Sequence, residues 1–250
     1  MGSKSRIAKH IVPIIQRYID ENNIQKYVEP FVGGANVIDK IRCKEKFGFD
    51  KNKYLIALLK RVQRGEELYE SVSKELYDKA RTAFNSGDTS EFQDWEIGNI
   101  GFLASYNGRF FDGGYAKTGY EKTKNGLRLR NYYQEAKSNI LEQSSNLDGI
   151  QFSSCDYREV LEIPYDSGML IYCDPPYQGT KQYANATTFD YIEFWQFVRC
   201  WSKCNIVLVS EQSAPSDFEC VWEQEVTRSI KAGDKSKQTE KLFIYKYGMK

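Results

Sequence analysis

The chain has 250 residues, 41% of them apolar, which suits one catalytic domain with a sizeable insertion or two closely joined domains. No apolar run approaches the roughly 18 residues of a membrane-spanning helix, and no apolar signal core follows Arg6, so a cytoplasmic protein that does not enter membranes is expected. Six scattered cysteines beside a single histidine, His10, predict reduced thiols and no metal site, and a net charge of +1 leaves any nucleic-acid partner to be argued from local charge.

In chain order, Ile7, Ile11, Ile14, Ile15 and Tyr18 recur at helical spacing and predict an amphipathic helix over 5–22. Residues 27–31 read as a short strand running into the Gly33-Gly34 turn, with a helix over about 36–45, a strand over 46–50 and a helix over 52–64. Strand, glycine turn, helix, strand ending in an acid, helix is the first half of a nucleotide-binding α/β sheet. From about 65 to 145 the chain is charged and Tyr-rich, broken by Asn107-Gly108, Gly113-Gly114 and Asn125-Gly126. There 66–84 and 131–146 read as helices and the middle as turns or a hairpin. Strands return at 150–153, 169–173, 205–209 and 241–245. The expected architecture is an α/β sheet built from 1–64 and 146–250, interrupted by a mostly helical insertion over 65–145. The basic stretch 231–241 reads equally as a DNA contact or as an exposed loop.

Between Tyr106 and Lys137 seven basic residues (Arg109, Lys117, Lys122, Lys124, Arg128, Arg130, Lys137) stand against Asp112, Glu121 and Glu135. Tyr106, Phe110, Phe111, Tyr115, Tyr120, Tyr132 and Tyr133 lie among them. Positive charge mixed with aromatic rings suits a surface that grips phosphates and stacks on bases. The plainer reading is a solvated, Tyr-rich face.

Asp174-Pro175-Pro176-Tyr177 follows directly on the apolar run 169–173, and loops at the carboxyl ends of strands in such sheets are where ligands bind. An exocyclic amine on a nucleic-acid base is a poor nucleophile because its lone pair is delocalised into the ring. Two acceptors that hold its N–H groups favour a pyramidal nitrogen with a directed lone pair, and the Asp174 side chain and Pro175 carbonyl can be those acceptors. The two prolines fix φ and remove both backbone donors. Tyr177 offers a face for an extruded base, worth about 1–3 kcal/mol by analogy with single-strand binders. Taken alone, the tetrapeptide reads equally as a tight turn capped by Asp. Upstream, Glu29-Pro30-Phe31-Val32-Gly33-Gly34 sits where a strand meets a turn, and Asp50 lies sixteen residues after Gly34, near the spacing at which an acid reaches ribose hydroxyls. These residues predict methylation of an exocyclic amine, with adenine N6 and cytosine N4 both open. A DNA-binding protein that has lost catalysis and a small-molecule methyltransferase are the competing classes.

Nearly end to end, this order of motifs resembles the Dam-type DNA adenine methyltransferases, the D12 class. Gly2-Ser3-Lys4 resembles the family's amino-terminal segment, whose lysine lies at the cofactor. Residues 29–34 resemble its first cofactor motif, with Ala35 replacing a third glycine, which asks for a slightly wider turn. Asp50 resembles its ribose-binding acid, Asp156 its acid near the cofactor adenine, and Ser105-Tyr106-Asn107-Gly108-Arg109 its aromatic-Asn-Gly loop. Asp174 to Tyr177 matches the catalytic motif at every position, and 242–245 resembles the closing segment. The resemblance implies a Rossmann-like, S-adenosylmethionine-dependent sheet with an inserted target-recognition domain. It implies cofactor contacts from Lys4, Glu29, Pro30, Phe31, Gly33, Gly34, Asp50, Asp156 and Asp174. It also implies transfer to adenine N6 in double-stranded DNA, with GATC as the first expectation for the recognised sequence.

Overall fold

A computed structural model describes residues 4–123, 126–162, 167–177, 189–231 and 234–246. Helix α1 (Ser5–Glu21) buries Ile7, Ile11, Ile15 and Ile19 along one stripe, as the spacing predicts. Strand β1 (Lys26–Glu29) leads to the glycine turn, and β2 (Glu45–Asp50) to α2 (Lys53–Gln63). The side chain of Asn52 caps α2 by accepting from the N–H groups of Tyr54 and Leu55 at 3.0 and 3.2 Å. Between β1 and β2 the expected helix over 36–45 does not form; a single 3-10 turn, Ile38–Lys40, is followed by extended backbone at Ile41. The cause is tertiary. Gln16 of α1 accepts from the Arg42 N–H and donates to the Arg42 carbonyl, both at 2.9 Å, and so pairs the extended backbone as a neighbouring strand would.

The insertion opens with α3 (Lys74–Ser86), which starts eight residues later than predicted because Ser73 supplies the cap, its Oγ accepting from the Leu76 N–H at 3.1 Å. A short helix, α4 (Asp94–Gly98), continues into a π-helical turn, Asn99–Leu103. Strands β3 (Gly119–Thr123) and β4 (Gly126–Arg130) form the predicted hairpin, and α5 (Tyr132–Glu142) follows. The insertion rests on α2. A Cβ on Gly98 would lie 2.2 Å from the Tyr54 carbonyl oxygen, and the Arg61 guanidinium sits 3.6 Å from the centre of the Trp95 ring.

The second half adds β5 (Ile150–Ser154), β6 (Leu170–Cys173), α6 (Tyr191–Trp201), β7 (Ile206–Glu211), β8 (Phe218–Lys231) and β9 (Asp234–Tyr245). The sheet order is β5-β2-β1-β6-β7-β9-β8, with five parallel strands and β9 antiparallel to both its neighbours. This is a Rossmann-like α/β sheet. Alternate residues face opposite sides. Tyr27, Leu170, Tyr172, Leu208 and Leu242 pack towards α1 and α2, while Val28, Ile171, Cys173, Val209 and Phe243 pack towards α6. The basic stretch 231–241, one reading of which was an exposed loop, belongs largely to β9 and is paired with β8. All six cysteines are free, and no helix among the described residues is long and apolar enough to cross a membrane.

Candidate active site

From β1 the chain moves outwards to β2 and then β5, and returns to lay β6 against the other side of β1. The carboxyl ends of β1 and β6 therefore flank the point where the sheet reverses direction, where a crevice opens in this class of fold. The first strand delivers Glu29 and the glycine turn, the second Asp174 and the two prolines. Two motifs separated by about 140 residues of sequence thus meet at one edge.

The glycine turn is set by its neighbours. Gly33 adopts a φ of 50°, and a Cβ there would meet nothing within 4 Å, so this backbone faces open space. Its N–H donates to Asp50 Oδ2 at 3.1 Å, and the Asn52 N–H donates to Asp50 Oδ1 at 2.9 Å. Burial pushes the Asp50 carboxyl up from its ordinary value, and these two donors oppose the shift. Each oxygen keeps a further lone pair for a hydroxyl. Ala35, fully buried, itself takes the left-handed φ of 56°. The turn is therefore not widened; it keeps the conformation a glycine would adopt. Phe31 packs its ring against Tyr157, 5.3 Å between centres, beside Asp156. Asp156, beyond β5, pairs with Lys51 at 3.2 Å and accepts from the Arg158 N–H at 3.1 Å. Burial works to raise its carboxyl, yet these contacts and the Arg158 charge leave it below its ordinary value.

Glu29 is 2% exposed and accepts from the Tyr27 hydroxyl at 2.7 Å. Burial, with the nearby charge of Asp174 adding to it, holds its carboxyl well above the usual range despite the Tyr27 bond. Across the switch point, the Lys4 ammonium lies 3.0 Å from Asp174 Oδ1 and 3.2 Å from Glu240 Oε2, and donates to the Tyr177 hydroxyl. The Tyr177 hydroxyl in turn donates to Glu240 Oε2 at 2.5 Å. Burial, then the charges of Asp174 and Glu240, raise the Tyr177 phenol far above its ordinary value, so it stays neutral and remains a donor. The ammonium sits beside the hydroxyl, 4.3 Å from the Tyr177 ring centre, and the residue as a whole is 8% exposed. At the head of α6 the Tyr191 hydroxyl donates to the Pro176 carbonyl at 2.7 Å and anchors the second proline, while Pro175 is buried.

Sequence reasoning named Lys4, Asp174 and Tyr177, which the structure brings together, and missed Glu240 and Tyr191. The signal for Glu240 was period-two alternation: stepping back from Leu242 puts an acid on a buried face. Among residues expected to meet DNA, Tyr106, Asn107, Arg109, Lys117 and Arg128 are exposed, and Asn107 holds a left-handed φ of 56° in its turn. Arg130 is half-buried, forked onto the Glu135 carboxylate and stacked 4.6 Å from the Tyr132 ring centre. Lys122 is placed as a residue of β3, while Lys124 and Gly2-Ser3 lie outside the described residues. Three aromatics read as surface are core: Phe110, Phe111 and Tyr133 are 8%, 3% and 4% exposed. Phe110 packs 4.5 Å from Phe102 and 4.9 Å from Phe84, so the aromatic count of the insertion mostly fills its interior.

A model of the family described as D12 class N6 adenine-specific DNA methyltransferase matches residues 1–203. The type II methyltransferase M.MjaIII of Methanocaldococcus jannaschii is 27% identical over 246 residues, covering 87% of this chain and 83% of that protein. A DNA adenine methylase of Vibrio cholerae is 27% identical over 192 residues, covering 72% of this chain and 65% of that protein. Among solved structures, the rRNA methyltransferase aviRa from Streptomyces viridochromogenes is 9% identical with a TM-score of 0.42, covering 97% of this chain and 85% of that one. By its family match, and in keeping with a site built from a glycine turn and Asp-Pro-Pro-Tyr at the switch point, the chain belongs to the D12 class of DNA methyltransferases, which transfer a methyl group from S-adenosylmethionine to N6 of adenine.

Proposed function

We propose that the substrate is double-stranded DNA from which one adenine is extruded, and that Asp174, Pro175, Pro176 and Tyr177 receive it. The observation that carries this reading is the position of Asp174: at the carboxyl end of β6, across the switch point from the glycine turn, with its carboxylate fixed by Lys4 at 3.0 Å. The Asp174 side chain and the Pro175 carbonyl accept the two N–H groups of the adenine amine, and Tyr177 stacks on the ring. The work of these groups is positioning, which is worth several kcal/mol of barrier when the reacting atoms are aligned.

The carboxyl edge fits the donor. The open backbone at Gly33 allows close approach, Asp50 has lone pairs left for ribose hydroxyls, and Asp156 stands beyond it at the next strand end. Glu29, Pro30, Phe31, Gly34 and Lys4 complete the edge. Bound there, S-adenosylmethionine supplies a methyl group on a positively charged sulfur. We assign target recognition to 65–145, through Tyr106, Asn107, Arg109, Lys117, Lys122, Lys124, Arg128 and Arg130, and catalysis to 1–64 and 146–250, in a cytoplasmic enzyme. The test is to expose duplex and single-stranded DNA to the protein with labelled donor and to map modified bases at single-base resolution. The reading expects N6-methyladenine in one short motif, GATC being the first candidate, with duplex preferred. Label at cytosine N4, or equal label on small amines without DNA, counts against it.

A further inference from the structure

Glu240 has no part in the assignments above, yet it is among the most buried acids of the chain, 3% exposed. β9 runs antiparallel to β7, and their last pair is Glu211 with Lys241. Glu240 is the next residue of β9, so it stands just past the carboxyl edge of the parallel strands, level with the loop that begins at Asp174. Alternation along β9 places it on the same face as Leu242, the face that packs on α1, and Lys4 stands at the foot of α1. Burying a carboxylate costs free energy unless it is paired and hydrogen-bonded. Two of its partners belong to the site: Glu240 Oε2 accepts from the Tyr177 hydroxyl at 2.5 Å and from Lys4 at 3.2 Å. One carboxylate therefore reaches both ends of the Asp-Pro-Pro-Tyr segment, Tyr177 directly and Asp174 through Lys4.

We propose that Glu240 is a positioning residue for methyl transfer, fixing the Tyr177 ring through its hydroxyl and sharing the Lys4 ammonium with Asp174. The proposal rests on the reading of Asp174 and Tyr177 given above. Anchoring the phenol fixes the plane on which the base stacks. Sharing the ammonium matters because Lys4 and the adenine amine both seek the Asp174 carboxylate. With Glu240 present, the cation is divided between two acids; without it, Lys4 collapses onto Asp174 and competes with the amine that Asp174 must hold.

Steady-state methylation of duplex DNA by the full chain tests this, using Glu240→Ala and Glu240→Gln with donor and DNA each varied while the other is saturating. The glutamine still accepts the Tyr177 bond but no longer carries the charge that holds Lys4. A misplaced site costs on the order of 100-fold, so Glu240→Ala is expected to lower kcat by about that factor and Glu240→Gln by about 10-fold. KM for donor and for DNA should move by less than about threefold, the pattern of an interaction realised in the transition state. Combining Glu240→Ala with Tyr177→Phe should cost no more than about threefold beyond the worse single change, since both cut one contact. A purely structural role predicts instead a lower melting temperature and fewer donor-binding sites, with parental kcat per active site; that result overturns the proposal. Asp174→Ala separates the two claims. If it is inactive while both Glu240 variants turn over at the parental rate, the positioning role is wrong and the loop reading stands. If Asp174→Ala itself turns over normally, the loop reading fails and the positioning role falls with it.

Discussion

Replacing Lys4 with Met keeps the apolar stem and removes a cation that lies between two acids. Lys4 lies 3.0 Å from Asp174 and 3.2 Å from Glu240, with side chains 9%, 21% and 4% exposed. At an effective dielectric of about 20, unit charges at these separations attract by about 5 kcal/mol each. Desolvation of the three groups offsets much of that, and breaking a buried pair from one side costs about 3–5 kcal/mol because the partner is left buried and uncompensated. Lys4→Met is therefore expected to lower the unfolding free energy by about 3–5 kcal/mol, read by urea unfolding of the donor-free protein. In the Glu240→Gln background, where one acid is already neutral, the same change should cost about 1–3 kcal/mol less. Lys74→Met, which breaks an exposed pair with Asp78, serves as the control and should leave the midpoint unchanged. A loss below about 1 kcal/mol, or additive changes across the cycle, would refute the picture of a dry, charge-coupled cluster.

Three further outcomes follow from particular residues. Ala35→Gly relieves a non-glycine residue held at a φ of 56°, worth about 1–2 kcal/mol. The entropy a glycine adds to the unfolded chain, about 0.5–1 kcal/mol, and the lost burial of the methyl, about 0.8 kcal/mol, offset it, so the melting temperature should move by less than about 3 °C. Glu29 has a folded-state carboxyl raised by burial. Above the unfolded value of about 4.3 only the unfolded chain has released that proton, so stability falls as pH rises towards the folded value. Glu29→Gln should remove this dependence, its advantage over the parent growing as pH rises above about 4.3 in donor-free unfolding; a pH-independent difference speaks against it. Arg128, with a side chain 69% exposed, is expected to meet a phosphate. Arg128→Ala should then weaken DNA binding evenly across sequences and reduce the slope of affinity against salt by about one.

The central strands were legible because four-residue apolar runs such as Leu170 to Cys173 are buried on both faces and carry no competing signal. The site loops were legible for a related reason: proline, glycine and a spaced acid act locally. What stayed hidden depends on partners distant in sequence. The segment 36–45 has a helical composition, and its contacts with residues distant in sequence, among them Gln16 of α1 on Arg42 and Gln143 on Asp39, hold it otherwise. Strand β8, Phe218–Lys231, was missed because it has no long apolar run, its alternation is broken at the irregularity between Cys220 and Trp222, and it takes its pairing at the sheet edge from β9. Phe110 and Phe111 looked like stacking residues because composition cannot say which way a ring points; Phe84 and Phe102 decide it. Glu240 was lost in a run of lysines that reads as solvated, although its register with Leu242 placed it on a buried face.

The most direct test of the account is single-turnover methyl transfer by Asp174→Ala, measured beside its DNA affinity. Losing an acceptor aimed at the reacting amine should cost at least about 100-fold in rate, while duplex binding, which the proposal assigns to the insertion, should stay within about threefold of the parent. Near-parental incorporation of methyl groups into adenine by this variant would contradict the role given to the Asp174 carboxylate.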